Sequence, residues 1–233
     1  MGNRPRLAPH LCPGHNLPMA PHVAPSQADP SLALAPTAII DSDDPGIVAK
    51  AEELCVGLPD PRDRAVRLFY WVRDAYRYDP FNVSRHEGDY RAGHLLGLDR
   101  GYCISKSVLL AALARAMGIP TRLGFADVKN HLQSERLRAQ MKSELFAWHG
   151  YVEFHLGERW VKASSAFNIE MCERFGTRPL EFNGVDDALL HEFDQAGNRH
   201  MEYVTNRGSY DDLPFSEIMK TFAELYGEDY LDS

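Results

Sequence analysis

Apolar residues recur at helical spacing directly after Gly101-Tyr102-Cys103, and a segment of strand-forming residues follows the helix at once. The positions that carry the helical pattern are Ile104, Val108, Ala112, Ala116 and Met117. Gly118 and Pro120 then form a stop signal, and residues 121–128 have the composition of a strand. Cys103 is therefore predicted to open an apolar-faced helix.

Two further helices with the same type of start are predicted before this segment. Asp44-Pro45 and Asp60-Pro61 each place a capping carboxylate before a proline, which is the preferred order at a helix N-terminus. The apolar positions behind them are Ile47, Val48, Ala51 and Leu54, and Ala65, Leu68, Phe69, Val72 and Tyr76. Both helices are expected to pack inward. Another helix is predicted over residues 133–146.

The chain from His149 onward alternates between apolar and polar residues, which is the period of a β-strand. Gly157-Glu158 is predicted to turn this strand into a second strand over residues 160–164. A further strand near residues 202–204 and a helix near residues 215–225 complete the pattern. Helices followed by strands indicate an α+β fold, with N-terminal helices packed on an antiparallel sheet.

Residues 1–36 differ in composition from the rest of the chain. Eight of the 15 prolines fall in this stretch, and no helical or alternating pattern accompanies them. We predict a flexible arm over residues 1–36 and a single domain over residues 37–233. The 44% hydrophobic composition is sufficient for one sizeable core in a chain of this length.

The net charge and the number and spacing of the cysteines indicate which binding partners and which cellular compartment to expect. The net charge is −8, from 25 basic and 33 acidic residues, so neither nucleic acid nor an anionic membrane is an expected partner. No stretch approaches the roughly 18 apolar residues of a membrane span. The four cysteines are far apart, which does not match a disulfide scaffold. We expect a cytoplasmic protein, and the sequence does not specify its oligomeric state.

The histidines show no metal-binding pattern. His131, His155, His191 and His200 do not combine with cysteines or carboxylates at the spacing of zinc sites. Neither a metal nor a cofactor is therefore expected. A zinc hydrolase remains an alternative that metal analysis would test.

Cys103 and His149 together suggest a chemical function. A cysteine at a helix N-terminus meets the positive end of the helix dipole and free N–H groups, which lower the thiol pKa and can receive an oxyanion. Because activation of a thiol requires a nearby base, His149 at the start of a strand is the candidate partner. Each residue alone is more often structural, as a small buried hydrophobe or a hydrogen-bonded histidine.

These residues resemble the core pattern of the transglutaminase-like superfamily. The matching motifs, in chain order, are Gly101-Tyr102-Cys103, Arg115, Gly118-Ile119-Pro120-Thr121-Arg122, His149-Gly150-Tyr151-Val152-Glu153 and Trp160-Val161. Trp71-Val72-Arg73 and Tyr78-Asp79 extend the resemblance upstream. The resemblance implies a papain-like site on a helix packed against an antiparallel sheet, with Cys103 as nucleophile and His149 as base.

The third member of the site departs from the family pattern. The family has Asp at the fifth position of W-V-x-x-D, whereas this chain has Ser164 there. If Leu156 faces Arg159 across the turn, Ser164 and Asn168 become diagonal neighbours of the residue opposite His149. Since Asn orients the histidine in papain-like sites, either residue is a candidate for that role. Ordinary strand-end hydrogen bonding is the simpler role for each of them singly.

Two functions of different classes follow from this reading. The first is a cysteine enzyme that forms an acyl-enzyme on Cys103 and releases it to water or to an amine, acting as an amidase, peptidase or transamidase. Its substrate would be a peptide, a protein or a small amide. The second is a non-catalytic binding module that keeps the fold with a degenerate triad, since Ser164 replaces the family's carboxylate.

Overall fold

The structure is a computed structural model, and it describes residues 29–131, 133–190, 193–227 and Tyr230. Its helices are α1 (Pro45–Leu54), α2 (Pro61–Ala75), α3 (Ala92–Leu95), α4 (Cys103–Ala116), α5 (Glu135–Met141), α6 (Ile169–Phe175) and α7 (Phe215–Tyr226). Its strands are β1 (Arg77–Tyr78), β2 (Arg100–Gly101), β3 (Thr121–Asn130), β4 (Leu145–Leu156), β5 (Arg159–Ala163) and β6 (Met201–Tyr210). The predicted α+β class is confirmed.

Helices α1 and α2 begin at the two aspartate-proline pairs, as predicted. The Asp44 carboxylate accepts hydrogen bonds from the N–H groups of Gly46 (2.9 Å) and Ile47 (3.2 Å). Asp60 accepts one from the N–H of Arg62 (2.8 Å). These bonds satisfy N–H groups that the first turn of a helix leaves without partners. The capping aspartates therefore set where both helices start.

Helix α4 lies at the centre of the core. Its residues from Cys103 to Arg115 are all buried, and it contacts the helices α1, α2 and α3 as well as the strands β3 and β4. The helix gives way to a turn at the predicted stop, where Gly118 has a φ of +74° that glycine adopts without steric penalty. Because α4 is enclosed by other elements, side chains at its N-terminus have little access to water.

Strands β3, β4, β5 and β6 form an antiparallel sheet in the order β5-β4-β3-β6. The β4–β5 hairpin turns at Gly157-Glu158, and Leu156 pairs with Arg159 in the predicted register. Pairing continues to Val152 opposite Ala163, where β5 ends. The chain leaves the sheet at this point, so the predicted register does not extend to Asn168.

Several elements differ from the sequence prediction. The helix predicted over residues 133–146 is wrong in extent, because α5 ends at Met141 and β4 begins at Leu145. Pairing of Leu145 with Lys129 of β3 outweighs the local helical pattern. Strand β6 is longer than the predicted strand near residues 202–204. Helices α3 and α6 and the parallel β1–β2 pair were not predicted at all.

The predicted arm overlaps the described residues only from Asp29 onward. A short 3-10 helix, Pro30–Leu34, buries Ala33 to 2% exposure, and the Ala35 carbonyl accepts a hydrogen bond from Arg115 (2.7 Å). For these residues the boundary at residue 36 lies too late, because they dock on the core. Residues 1–28 lie outside the described part of the chain, and the flexible arm stays a prediction there.

Candidate active site

Cys103 is the first residue of α4, where the sequence predicted it. The preceding Tyr102 has an extended backbone, and its N–H donates a hydrogen bond to the Ser105 hydroxyl (3.0 Å). The N-cap position is occupied by Tyr102 rather than by a short polar residue. The hydroxyl of Ser105, in the first turn of the helix, therefore supplies the capping hydrogen bond. Cys103 is 9% exposed, so access to its thiol from solvent is narrow.

Burial decides the protonation state of the Cys103 thiol. It raises the pKa of the thiol to about 11, while the backbone N–H groups of Gly150 and Ile104 act in the opposite direction. The sequence suggested a lowered thiol pKa from the helix N-terminus, and the structure gives the opposite result. Loss of hydration outweighs the backbone donors. The resting thiol is therefore protonated at neutral pH.

Several tyrosine side chains lie near the thiol. Tyr78, Tyr90, Tyr102 and Tyr230 each lie close enough to Cys103 for a thiolate there to raise the pKa of the phenol. The hydroxyls of Tyr90 and Tyr102 form a hydrogen bond with each other (2.7 Å).

Strand β4 crosses the N-terminus of α4 at Gly150. A Cβ atom at Gly150 would lie 3.2 Å from the Cα of Ile104 and 3.3 Å from the carbonyl oxygen of Cys103. A residue without a side chain allows the two backbones to approach this closely. The backbone of His149, the preceding residue of β4, therefore lies next to the first turn of α4. The two predicted residues thus belong to elements that meet at this crossing.

The imidazole of His149 is buried, with 3% of the residue exposed. Burial lowers the pKa of His149 to about 4, because the interior disfavours the charged ring. The ring is therefore neutral at neutral pH.

Ser164 contacts this imidazole. Its hydroxyl oxygen lies 3.5 Å from Nε2 of His149, at the long limit of a hydrogen bond. The Ser164 N–H donates to the Ala188 carbonyl (2.9 Å), which fixes the backbone just beyond β5. Ser164 occupies the Asp position of the family pattern, and its role as the orienting residue stays a prediction.

The side chain of Asn168 has partners other than His149. Its Oδ1 accepts a hydrogen bond from the N–H of Tyr78 (3.0 Å), and its Nδ2 donates to the carboxylate of Glu170 (2.5 Å). Both ends of the amide are therefore engaged away from His149. Asn168 connects β1 to the start of α6, and of the two candidates Ser164 is the one that contacts the imidazole.

An extra residue interrupts the pairing of β4 just before His149. Ala126 of β3 pairs with His149, and the next paired residue of β3, Val128, lies opposite Phe146. Strand β4 therefore contains one more residue than β3 between these pairs. Within this bulge Trp148 has a φ of +59°, a left-handed conformation that is rare for a bulky side chain. Such a bulge bends the strand and re-aims the side chain that follows.

Side chains from three elements hold Trp148 in this conformation. Asp127 of β3 accepts a hydrogen bond from the Trp148 N–H (3.1 Å), and Thr221 of α7 accepts one from the indole N–H (3.0 Å). The Arg207 guanidinium lies over the indole ring (4.7 Å) and donates to Asp127 (2.5 Å). These contacts offset the backbone strain beside His149. Sequence reasoning missed them, because no local pattern marks a left-handed tryptophan.

Neither a metal-binding cluster nor a membrane-spanning helix is found among residues 29–131, 133–190, 193–227 and Tyr230. Within these ranges no group of three His, Cys, Asp or Glu side chains is arranged to hold a metal ion. In the same ranges, no helix combines the length and the apolar character that a membrane span requires.

A model of the transglutaminase-like superfamily matches residues 48–165, which is half of the chain. The chain belongs to the transglutaminase-like superfamily. The matched region contains Cys103, His149 and Ser164 and ends before Asn168. The resemblance inferred from the motifs is confirmed, and the chain has the cysteine-dependent catalytic fold of this superfamily.

Two solved structures are similar to this transglutaminase-like chain over part of their length. A candidate cysteine protease from Cytophaga hutchinsonii has 16% identity and a TM-score of 0.47, with 78% of this chain and 53% of that chain covered. The periplasmic domain of TgpA from Pseudomonas aeruginosa has 20% identity and a TM-score of 0.41, with 60% and 48% covered. This chain therefore spans about half the length of each. A search of curated protein sequences gave no significant match.

Proposed function

We propose that this transglutaminase-like protein is an active cysteine enzyme that transfers an acyl group from an amide or ester through a thioester on Cys103. The observation that supports the proposal is the packing of Gly150 against the first turn of α4, from which we infer that the imidazole of the neighbouring His149 lies beside the thiol. The contact between Ser164 and Nε2 of the imidazole (3.5 Å) supports the same arrangement.

The first half of the reaction begins from a neutral pair. Because Nε2 of His149 faces Ser164, Nδ1 is the nitrogen left for the thiol. His149 takes the thiol proton as Sγ of Cys103 attacks the carbonyl carbon of the substrate. The carbonyl oxygen becomes an oxyanion, and free N–H groups at the start of α4 are the candidates to stabilise it. His149 then gives the proton to the leaving amine or alcohol, and the thioester remains.

The second half of the reaction releases the acyl group. His149 removes a proton from water or from a primary amine, which attacks the thioester carbonyl, and the proton returns to Sγ as the carbon–sulfur bond breaks. Water yields a carboxylic acid, and an amine yields a new amide. Both outcomes use the same residues of the protein, and peptides, proteins and small amides are all candidate substrates.

A non-catalytic binding module is the second candidate function. The observations that favour it are the protonated, buried thiol and the Ser164 hydroxyl in the position of the family's carboxylate. Loss of an orienting group commonly lowers the rate of such enzymes rather than abolishing it. For this reason we favour the enzyme.

The test is the acylation of the protein by p-nitrophenyl acetate, followed by release of p-nitrophenol and by peptide mass spectrometry. We expect acetylation at Cys103 and none at the buried free cysteines Cys55 and Cys172. Cys103→Ala should abolish the acylation and shift the melting temperature by only a few degrees. His149→Ala should slow it by about 100-fold or more, since it removes the general base. Equal rates in wild type and His149→Ala would favour the binding module.

A further inference from the structure

A cleft of about 590 Å³ lies between the segment that follows β1, helix α5 and helix α6. Phe81 lines it from the first of these, Leu137 from α5, and Met171 and Phe175 from α6. The lining thus combines aromatic and aliphatic surface with polar groups between them. A cavity of this size is typical of sites for small ligands or short peptide segments.

This cleft borders the nucleophile through β1. Tyr78, which lines the cleft, pairs with Gly101, and the N–H of Asp79 donates to the Gly101 carbonyl (3.0 Å), just before Cys103. The ring of Tyr78 packs edge-on against Phe167, with centroids 4.9 Å apart, and Phe167 also lines the cleft. A thiolate at Cys103 would raise the pKa of the Tyr78 phenol, so Tyr78 lies near the thiol and also lines the cleft.

Several charged groups at the cleft already have partners. Arg77 forms an ion pair with Asp99 (2.8 Å), and Arg100 forms one with Asp79 (3.6 Å). The carboxylate of Glu170 accepts a hydrogen bond from a neighbouring side-chain amide (2.5 Å). The two ion pairs are each neutral overall, whereas the carboxylate of Glu170 keeps its negative charge, because the amide that donates to it is neutral.

Two other arginines, on opposite walls of the cleft, form no ion pair with a described residue. Arg136 of α5 lies over the ring of Phe81 (4.4 Å), and Arg174 of α6 lies near the ring of Phe175 (5.8 Å). Both arginines are exposed, and within the described part of the chain neither has a carboxylate at ion-pair distance. A guanidinium held against a ring keeps its N–H edge free for bidentate contact with a carboxylate.

We propose that this cleft binds the acyl donor and selects donors that carry a carboxylate next to an apolar group. The aromatic and aliphatic lining accommodates the apolar group, and Arg136 and Arg174 bind the carboxylate through charge-assisted hydrogen bonds. As the donor site of Cys103, the cleft depends on the function proposed above. On a chain with a net charge of −8, two cations that have no carboxylate partner among the described residues create a local field at the cleft that favours anions.

The carboxylate has two possible sources with the same chemistry, namely an acidic side chain and the C-terminus of a peptide. Four probes separate them: acetyl-Phe-Glu-amide, acetyl-Phe-Ala with a free carboxylate, acetyl-Phe-Gln-amide and acetyl-Phe-Lys-amide. Binding is measured by titration calorimetry at low salt on the full-length Cys103→Ala protein, so that no reaction occurs. We expect at least one anionic peptide to bind about tenfold or more tightly than the Gln and Lys peptides, and the tighter anionic peptide identifies the source.

Matched arginine variants assign this preference to the cleft. Arg136→Gln and Arg174→Gln should each weaken binding of the anionic peptide by about 5- to 10-fold and leave binding of the Gln peptide unchanged. Arg138→Gln and Arg178→Gln change the net charge equally at exposed positions outside the cleft, and both should bind as the parent protein does.

Equal affinity for the anionic and Gln peptides, binding of none of them, or equal losses in all four arginine variants would each overturn the proposal. Because binding is measured on a protein without the thiol, the result does not depend on acyl-enzyme formation. Absence of Cys103 acylation in the wild-type protein would contradict the proposed function alone, so the two failures are distinguishable.

Discussion

Ser164 and Asn168 both follow the β4–β5 hairpin, and they contact different parts of the molecule. Ser164 meets the imidazole of His149 at 3.5 Å, whereas Asn168 binds the backbone of Tyr78 and the carboxylate of Glu170. The first contact acts on the base of the proposed reaction. The second holds the wall of the cleft. Replacement of Ser164 should therefore change mainly kcat, and replacement of Asn168 should change mainly KM.

Replacement of these two residues by alanine tests the separation. Ser164→Ala should lower kcat for ester hydrolysis by about tenfold with little change in KM, because the imidazole loses its orienting contact. Asn168→Ala should raise KM and lower the melting temperature, since β1 and α6 lose their connection. Steady-state kinetics of both variants measure kcat and KM, and thermal unfolding measures the melting temperatures. Unchanged kcat in Ser164→Ala would remove Ser164 from the site.

The burial of His149 predicts a pH-dependent loss of stability. Its pKa is about 4 in the folded protein and about 6.5 in an unfolded chain, so the unfolded state binds more protons between these values. As the pH falls from 6.5 to 4, this group should therefore lower the free energy of unfolding, by roughly 3 kcal/mol in total.

The measurement is chemical denaturation at pH 7, 5.5 and 4 for the wild type, His149→Gln and His86→Gln. His149→Gln should lack this part of the decline, because glutamine does not bind a proton in this range. His86 is exposed, and its replacement should follow the wild type. Parallel curves for all three proteins would contradict the assignment of the decline to His149.

At the scale of elements, the crossing of β4 over the N-terminus of α4 determines the geometry of the site. Gly150 permits the close approach, and the bulge at Trp148 sets the direction of the strand just before His149. Both features belong to one short segment of β4. A change in this segment should therefore affect activity more than stability.

Gly150→Ala tests the crossing. The new Cβ would meet backbone atoms of Cys103 and Ile104 at 3.2–3.4 Å, and backbone is less able to move away than a flexible side chain. We expect a rate of Cys103 acylation at least about tenfold lower, with a loss of stability of about 1–3 kcal/mol. Gly88→Ala is the matched control, because no atom lies within 4 Å of its new Cβ. Equal acylation rates in the two variants would show that the close approach is not required.

At the scale of the whole molecule, Arg115 connects segments that are distant in the chain. Its guanidinium donates hydrogen bonds to the carbonyls of Thr121 (2.8 Å), Ala35 (2.7 Å) and Asp211 (2.7 Å). Its environment is buried, and burial lowers the pKa of Arg115 to about 10. One side chain thus joins the end of α4 to the segment before α1 and to the segment between β6 and α7.

Arg115→Lys should lower the free energy of unfolding by about 2–4 kcal/mol. The lysine ammonium does not reproduce the geometry of the three guanidinium hydrogen bonds, so buried carbonyl groups lose their partners. Denaturation in guanidinium chloride measures the change, with the exposed Arg67→Lys as control. A chain that begins at Thr37 should also be less stable than one that begins at Asp29, since it lacks the Ala35 carbonyl. Equal stability of these two chains would refute the docking of residues 29–36.

Local signals in the sequence determined the framework of this protein. The aspartate-proline pairs fixed the starts of α1 and α2, the Gly157-Glu158 turn set the hairpin register, and Gly101-Tyr102-Cys103 marked the start of α4. Each of these signals acts within a few residues, because caps and turns are closed by short-range hydrogen bonds. The motif order also identified the superfamily.

Only the tertiary structure decided the chemistry of the site. The raised pKa of Cys103, the contact of Ser164 with the His149 imidazole and the left-handed backbone of Trp148 all depend on partners farther away in the chain. A helix N-terminus by itself favours a thiolate, but the buried surroundings of α4 reverse that preference. Desolvation depends on which side chains pack around a group, and the sequence near Cys103 does not contain that information.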